Sequence, residues 1–545
     1  MTKTPTEEHA MKRVIEQYLV CGRYQLFGAF MYTYWCVSCV QVMSFMSFAG
    51  KKPHVNCITE NGTHVLYPQM SDACAAMTAG NCAAYNLTDD FHSILIEWDL
   101  VCERLSQTYA ITTVQMLGVM FGASVFGQIA ELIGRKKVML FTWSSVVALE
   151  TINGVFTDSV LVFTVFRASL GFLIAGLITS GQILVYEYMD SRKRFIIGSV
   201  SGWSPVYIIF GLVGYFCGTW RRLAIYPSLL CIPGIILAAV CLDESPRWLV
   251  QRGRIDEAVA ILCKMARWNG HPLPNKERMR EQLSEMYHGA EVEMKKPSAT
   301  AAKVASPRRY TFWHLCYTWK LCRYSVTLAL TWFSTSLTSY GILFNIGNLA
   351  GSTYVNVTLF GTIRMITQTS AMISTLFVRA LGRKLLLLLV ACGMCACCVC
   401  VVFIRLLDDS HESVVRALNI ATAGLAAPSW ICVVILTAEL YPTPVRVIAG
   451  GAGSTFARIG GAVAPQLLNL SEHWRPAAHF GFAVVLLLEA LLVTLWLDET
   501  RGRPMPEAMP DASHRIFAKW ADRHDNGEQH DDECEQFVSN NRESK

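Results

Sequence analysis

The chain has 545 residues, of which 52% are hydrophobic and only 16% are charged, and its net charge is +5. A soluble protein carries about 25% charged residues, so the long apolar segments predict membrane-spanning helices. The modest charge and the lack of a basic patch with interleaved aromatic residues exclude a nucleic-acid-binding protein. Nucleotide-binding glycine loops, Gly-x-Ser-x-Gly elbows and His/Cys metal spacings are also missing, so we expect neither an enzyme nor a cofactor or metal site.

The first half of the chain predicts one bundle of six spanning helices over 22–242, after a cytoplasmic N-terminus at 1–21. Short basic connections between the apolar segments indicate the cytoplasmic side. The predicted spans are 22–48, 108–131, 138–157, 160–187, 195–217 and 223–242.

The long segment 48–106 is therefore expected outside the cell. It carries glycosylation sequons at Asn61 and Asn86, and it also carries four cysteines. An even number of cysteines in an oxidising compartment predicts two disulfide bonds, for which three pairings are open. The four residues are Cys57, Cys74, Cys82 and Cys102.

The second half repeats this layout. A basic segment at 243–322 predicts a cytoplasmic linker, 323–497 predicts a second six-helix bundle, and the polar segment 498–545 predicts a cytoplasmic tail. Both chain termini are thus expected inside the cell. The predicted spans are 323–348, 354–378, 385–405, 414–437, 447–470 and 478–497.

Short motifs recur in the same order in both halves, about 250 residues apart, which implies two homologous bundles. Duplicated bundles of this kind close around a central substrate site. The recurring motifs are Gly134-Arg135-Lys136 with Gly382-Arg383-Lys384, Glu187 and Arg194 with Glu439 and Arg446, and Leu242-Asp243-Glu244 with Leu497-Asp498-Glu499.

Several motifs resemble those of a known family. The segment from Gly127 to Lys136 resembles the loop signature of the major facilitator superfamily. Four further motifs and the cysteine-bearing outer loop resemble the organic cation, organic anion and carnitine transporter family of that superfamily, over residues 20–505. The resemblance implies an all-α membrane protein with twelve transmembrane helices in two pseudo-symmetric six-helix bundles and a large extracellular loop after helix 1. The four motifs are Cys21-Gly-Arg-Tyr-Gln25, Glu97-Trp-Asp-Leu-Val-Cys102, Asp243-Glu-Ser-Pro-Arg-Trp-Leu249 and Glu439-Leu-Tyr-Pro-Thr443.

Charged residues at the cytoplasmic ends of both bundles predict a gate. Acids and bases in related positions would pair across the gap in one state and separate in the other. The alternative is a set of solvated rim charges that contribute little. The predicted gate residues are Glu131, Arg135, Glu187, Arg194, Arg383, Glu439 and Arg446.

Arg458 is the main candidate for substrate recognition, because it is the one charge in its apolar segment. Its planar guanidinium suits a carboxylate or sulfonate. In the resembling family this position is Asp in cation carriers and Arg in anion and carnitine carriers. The alternative is a structural salt bridge to an acid on another span, for which Glu150 and Glu489 are candidates.

A second arginine and four aromatic residues complete the predicted site. Arg364 lies seven residues before Ala371, which aligns with a lysine of anion carriers. Arg364 would supply a second positive charge or would snorkel to the outer surface. The aromatic residues align with substrate-lining positions of the family, and their alternative is lipid-facing placement. They are Trp332, Tyr340 and Trp430, with a weaker match at Trp203.

The sequence thus predicts a secondary active or facilitative transporter that works by alternating access in the plasma membrane. Organic anions are the favoured substrates, and zwitterions such as carnitine are included. The alternatives are an organic cation carrier in which Arg458 is structural, and a non-transporting receptor. The expected partners are a small organic ion, a counter-ion and the lipid bilayer.

Overall fold

The computed structural model describes residues 19, 22–59, 63–67, 69–189, 202–272, 275–295, 311–377, 381–407, 411–501, 506 and 509–510. Twelve helices within these residues, six in each half, fall on the predicted spans. They are α1 Arg23–Ser44 (continued by Met46–Ala49), α2 Leu105–Ile133, α3 Arg135–Phe156, α4 Val160–Glu187, α5 Trp203–Cys217, α6 Trp220–Cys241, α7 Trp319–Asn345, α8 Thr353–Phe377, α9 Arg383–Leu407, α10 Glu412–Leu440, α11 Thr443–Leu470 and α12 Ala477–Trp496.

Eight of the twelve described helices are long and apolar enough to cross a membrane. The described part of α5 is apolar but short, and α7, α8 and α11 are more polar. A spanning helix tolerates polar side chains where other helices or a water-filled cavity surround it. The three more polar helices, α7, α8 and α11, carry four of the six predicted substrate residues: Trp332, Tyr340, Arg364 and Arg458.

The repeated Gly-Arg-Lys and Leu-Asp-Glu motifs meet in space within each half. The Glu244 carboxylate accepts a hydrogen bond from the backbone N–H of Arg135 at 3.0 Å, at the first residue of α3. The Glu499 carboxylate does the same for Arg383 at 2.9 Å, at the first residue of α9. An acid at a helix N-terminus accepts hydrogen bonds from the free N–H groups there, and its negative charge interacts favourably with the helix dipole. Gly134 is required there, since its φ is +108° and a Cβ would lie 2.3 Å from Glu244.

The aspartates of the same motif also have equivalent partners. Asp243 accepts a hydrogen bond from the Tyr24 hydroxyl at 3.0 Å, and Asp498 accepts one from the Tyr324 hydroxyl at 2.5 Å. Each aspartate therefore ties the end of the sixth helix of its half to the start of the first.

The 48–106 loop contains a small β-sheet that the sequence did not predict. The strands are β1 His54–Ile58, β2 His64–Tyr67 and β3 Ala84–Thr88, and a helix at Met70–Thr78 lies between β2 and β3 in the chain. The sheet is antiparallel, and its strands lie in the order β2-β1-β3. The loop cysteines lie in two close pairs, Cys57 with Cys82 and Cys74 with Cys102, with Cα atoms 5.5 Å apart in each pair.

The described part of the linker segment is largely helical and packs against the first bundle. Its helix Ile255–Asn269 ends with Asn269, whose side chain accepts from the Tyr24 N–H at 2.9 Å and donates to Gln25 at 3.0 Å. Lys264 of the same helix forms an ion pair with Asp243 at 2.7 Å. We call this end of the molecule the linker end, and the opposite end, which carries the 48–106 loop, the loop end.

Candidate substrate site and gate

Arg458 lies on α11 with a buried Nε atom that has no hydrogen-bond partner. The residue before it, Ala457, is fixed to α7, because the Ser336 hydroxyl donates to the Ala457 carbonyl at 2.5 Å. Neither candidate acid pairs with this arginine. Glu150 forms an ion pair with Arg167 at 3.0 Å, and Glu489 is bonded to a hydroxyl of α7. Within the described residues no acid neutralises Arg458.

Arg364 points between helices, so the snorkelling alternative is wrong. Its Nη1 donates to the Ala423 carbonyl of α10 at 3.3 Å, and its guanidinium lies 5.2 Å from the centre of the Phe360 ring. Tyr207 of α5 and Tyr340 of α7 lie near Arg364. Its buried Nε has no hydrogen-bond partner.

Two predicted aromatic residues pack against the helix that carries Arg458. Trp332 lies against Gly453, where a Cβ would come within 2.3 Å of the indole nitrogen. Tyr340 lies against Gly461, where a Cβ would come within 3.2 Å of the ring. These two glycines stand five residues before and three residues after Arg458, so the close contacts bring both rings to the same stretch of α11.

Trp430 joins this group through Trp332. Their rings are nearly perpendicular, with centres 5.8 Å apart. Each indole N–H has a hydroxyl acceptor, Thr437 for Trp332 and Ser339 for Trp430, both at 3.1 Å. Trp203 stands apart: it is the first residue of α5, and no described ring contact links it to the other three aromatic residues.

The predicted gate residues are paired inside their own bundles. Arg135 contacts Glu131 at 2.8 Å and Glu187 at 3.4 Å. Arg383 contacts Glu439 at 3.6 Å. Arg446 donates to the Tyr441 carbonyl at 3.2 Å and to the Pro506 carbonyl at 3.3 Å. Arg194 lies outside the described residues.

The two bundles are joined at the loop end instead. Glu472 accepts from Lys52 at 2.5 Å and from the Tyr109 hydroxyl at 2.6 Å, and both of these partners belong to the first half. Ser47 donates to the Leu343 carbonyl at 2.7 Å. Sequence reasoning missed these residues, because neither the repeat nor a motif marks them.

The bonds between the bundles become fewer along the helices toward the linker end, within the described residues. Among the hydrogen bonds between the bundles, the one farthest from the loop end joins the side chains of Ser204 and Gln368 at 3.3 Å. Gln368 lies near the middle of α8. Beyond it, no hydrogen bond or ion pair between the bundles is found in the described part of the chain. The hydrogen bonds and ion pairs that join the described parts of the two bundles thus lie toward the loop end.

Comparison with known proteins identifies the family. A sequence model of the family described as sugar (and other) transporter matches residues 29–511. The chain belongs to this family. It is also 28% identical over 433 residues to solute carrier family 22 member 7 of Bos taurus, covering 79% of this chain and 75% of that protein. Solute carrier family 22 member 16 of Xenopus laevis is 29% identical over 457 residues, covering 80% of this chain and 75% of the relative.

These relatives confirm the resemblance to the organic cation, organic anion and carnitine transporter family. Solved structures confirm the fold. The xylose transporter XylE from E. coli in an inward open conformation aligns with a TM-score of 0.57 at 14% identity, over 87% of this chain and 98% of that one. The chain is thus a multi-pass membrane transporter with the major facilitator fold.

Proposed function

We propose that this protein transports organic anions by alternating access between its two bundles, and that Arg458 binds the anionic group of the substrate. The observation that carries the proposal is the buried Nε of Arg458, which has no partner in the described structure. A guanidinium keeps its positive charge in a protein, and its planar N–H groups match a carboxylate or sulfonate, so an arginine without an acid partner suits an anionic substrate. Zwitterions such as carnitine fit the same requirement.

The surroundings of Arg458 support an organic rather than an inorganic anion. Trp332 and Tyr340 present aromatic surface to the same stretch of α11, and Trp430 packs against Trp332. Ligand sites are lined mainly by apolar and aromatic side chains with a few polar groups that fix orientation. Arg364 is also a neighbour of Tyr340 and adds a second positive charge. A flat or amphiphilic anion matches this combination.

The same residues argue against a cation carrier. The two fully buried acids in the described spanning helices are Glu150 and Glu489. The first is neutralised by Arg167, and the second is enclosed between α7 and α12. Neither presents a negative charge beside the aromatic residues, whereas two arginines present positive charges.

Uptake by the purified protein in liposomes tests the proposal. We expect uptake of labelled naphthalene-2-sulfonate, some uptake of carnitine, and none of tetraethylammonium. Uptake of tetraethylammonium without uptake of the sulfonate would support the cation carrier instead, and uptake of none would support a receptor. Imposed gradients in the same assay identify the driving ion.

We also propose that the loop end is extracellular at the plasma membrane, with two disulfide bonds, Cys57–Cys82 and Cys74–Cys102, in the loop. Asn86 lies exposed on β3, which suits a glycosylation acceptor. Asn61 lies outside the described residues.

Glycan mapping provides the first prediction. In a glycosylating host, N86Q is expected to lower the glycoprotein mass, because it removes an exposed acceptor on the outside. N356Q is the matched control: its sequon is complete, but Asn356 is buried and donates to the Leu349 carbonyl at 3.4 Å. An N86Q protein with unchanged mass would contradict glycosylation at Asn86, and a wild type without any glycan would count against the extracellular placement of the loop.

The alternating-access part of the proposal requires contacts at the loop end that break when this end opens. The pair of Lys52 and Glu472 is such a contact, since it spans both bundles and is about three-quarters buried. We propose that it stabilises the state seen here, while the gate residues of the linker end pair across the bundles in the opposite state.

A charge swap provides the second prediction. E472K is expected to slow uptake severalfold, because coupled contacts of this kind contribute about 0.5–3 kcal/mol to one state. The double variant K52E/E472K is expected to restore much of the rate. E412K is the control, since Glu412 pairs with Arg405 within the second bundle at the same end. Equal rates for E472K and the double variant would exclude the pair as a latch.

A further inference from the structure

Glu489 is a fully buried acid without a positive partner. It lies on α12 and has no exposed surface. Its Oε2 is hydrogen-bonded to the Ser334 hydroxyl of α7 at 2.5 Å, and its buried Oε1 has no hydrogen-bond partner. No ion pair to this residue is found within the described ranges. The substrate site proposed above does not use it.

The comparison with Glu150 shows how unusual this is. Glu150 is equally buried, but Arg167 neutralises it at 3.0 Å. A carboxylate enclosed by helices, without a cation, is strongly destabilised relative to its neutral form. A protonated carboxyl group can donate as well as accept hydrogen bonds. The surroundings of Glu489 therefore suit a carboxylic acid that holds a proton.

The groups that face this carboxyl do not carry charge. From α7 it meets the hydroxyls of Ser334 and Thr331. From α10 the thiol of Cys432 interacts with it. The thiol that α9 presents to α12, that of Cys395, binds the Ala483 carbonyl nearly two turns away. Glu489 is thus the one acid that would titrate among these described neighbours.

A single turn of α7 connects this carboxyl to the substrate site. Ser334 binds Glu489 of α12. The next residue, Thr335, is hydrogen-bonded to Ser429 of α10 at 2.8 Å. The residue after that, Ser336, donates to the carbonyl that precedes Arg458. A shift of α7 on anion binding would therefore change the hydrogen bond between Ser334 and Glu489.

We propose that Glu489 is a proton-binding site that couples anion transport to a proton moving in the same direction. In the state seen here Glu489 is the neutral acid. In the opposite state it dissociates to a carboxylate and a proton, which leaves to water on that side. This inference rests on the proposed function, since it needs an anion that travels with the proton.

Liposomes that contain a pH-sensitive dye test the coupling, with naphthalene-2-sulfonate as the substrate. A sulfonate stays ionised and cannot carry a proton itself. Inward transport by the wild type is expected to acidify the lumen. E489Q keeps the shape and the bond to Ser334, so it should still exchange sulfonate for sulfonate but should lose the acidification. R416M is the control: Arg416 lies near Gly351 at the loop end, so this variant should still acidify the lumen.

Two results would overturn the inference: sulfonate uptake by the wild type without acidification, or acidification by E489Q. Failure of the wild type to take up sulfonate would instead contradict the proposed function. A second measurement does not depend on transport. The infrared carbonyl band of a protonated carboxyl should be present in the purified wild type and in E489D and missing in E489Q, and its absence from the wild type would exclude the proton site.

Discussion

Replacing Arg458 by alanine is expected to lower the affinity for organic anions by about 30-fold or more. Loss of one partner of a buried, hydrogen-bonded charge pair costs about 2–5 kcal/mol, and each 1.4 kcal/mol is about tenfold in affinity. R458K keeps the charge but loses the planar fork, so it should recover only part of the affinity. Initial rates of naphthalene-2-sulfonate uptake over a range of concentrations measure the effect.

The control for this series is R416M, because Arg416 lies near Gly351 at the loop end, away from the aromatic group. All variants are compared at equal protein abundance, since a structural role for Arg458 would lower folding instead. If a folded R458A protein transports the sulfonate with wild-type affinity, the organic cation carrier becomes the favoured hypothesis.

Replacing Arg167 by methionine is expected to destabilise the fold by about 3–5 kcal/mol, because it leaves a buried charge without its partner. Arg167 has no exposed surface. It holds Glu150 at 3.0 Å and Gln115 at 2.7 Å, it donates to the Val42 carbonyl, and it stacks over Phe45 at 4.5 Å. It therefore joins α1, α2, α3 and α4. Thermal unfolding of the purified protein and its yield measure the loss.

The double variant E150M/R167M separates this explanation from simple loss of packing. The double variant has no unpaired buried carboxylate, so it should be more stable than the single variant R167M. R416M is again the control, because it makes the same substitution at an arginine that is only half-buried. A double variant no more stable than R167M would show that the ion pair is not what Arg167 provides.

Much of the fold could be predicted, because its signals are local in the sequence. Apolar segments of span length predicted all twelve helices, and the repeated motifs predicted the equivalence of the bundles. The sheet at 54–88 was missed, since its strands are four or five residues long and their alternation is weak. The role of Glu244 was also missed, although its motif was recognised, because its partners at α3 lie more than 100 residues away.

The candidate site could be predicted only in part. Charge in an apolar segment marked Arg458 and Arg364, but which acids they face depends on how the helices pack. The pairing of Glu150 with Arg167 and the enclosure of Glu489 removed the salt-bridge alternative, and neither follows from spacing. The loop-end contacts of Glu472 depend on the conformational state, which a sequence does not specify.

Direct binding to the purified protein tests the central claim without the complications of transport. Isothermal titration of naphthalene-2-sulfonate is expected to show saturable binding to the wild type and to R416M. Binding to R458A should be weaker by about 30-fold or more, the equivalent of at least about 2 kcal/mol. Equal affinity of the wild type and a folded R458A protein for the sulfonate would contradict the assignment of Arg458 as the anion site.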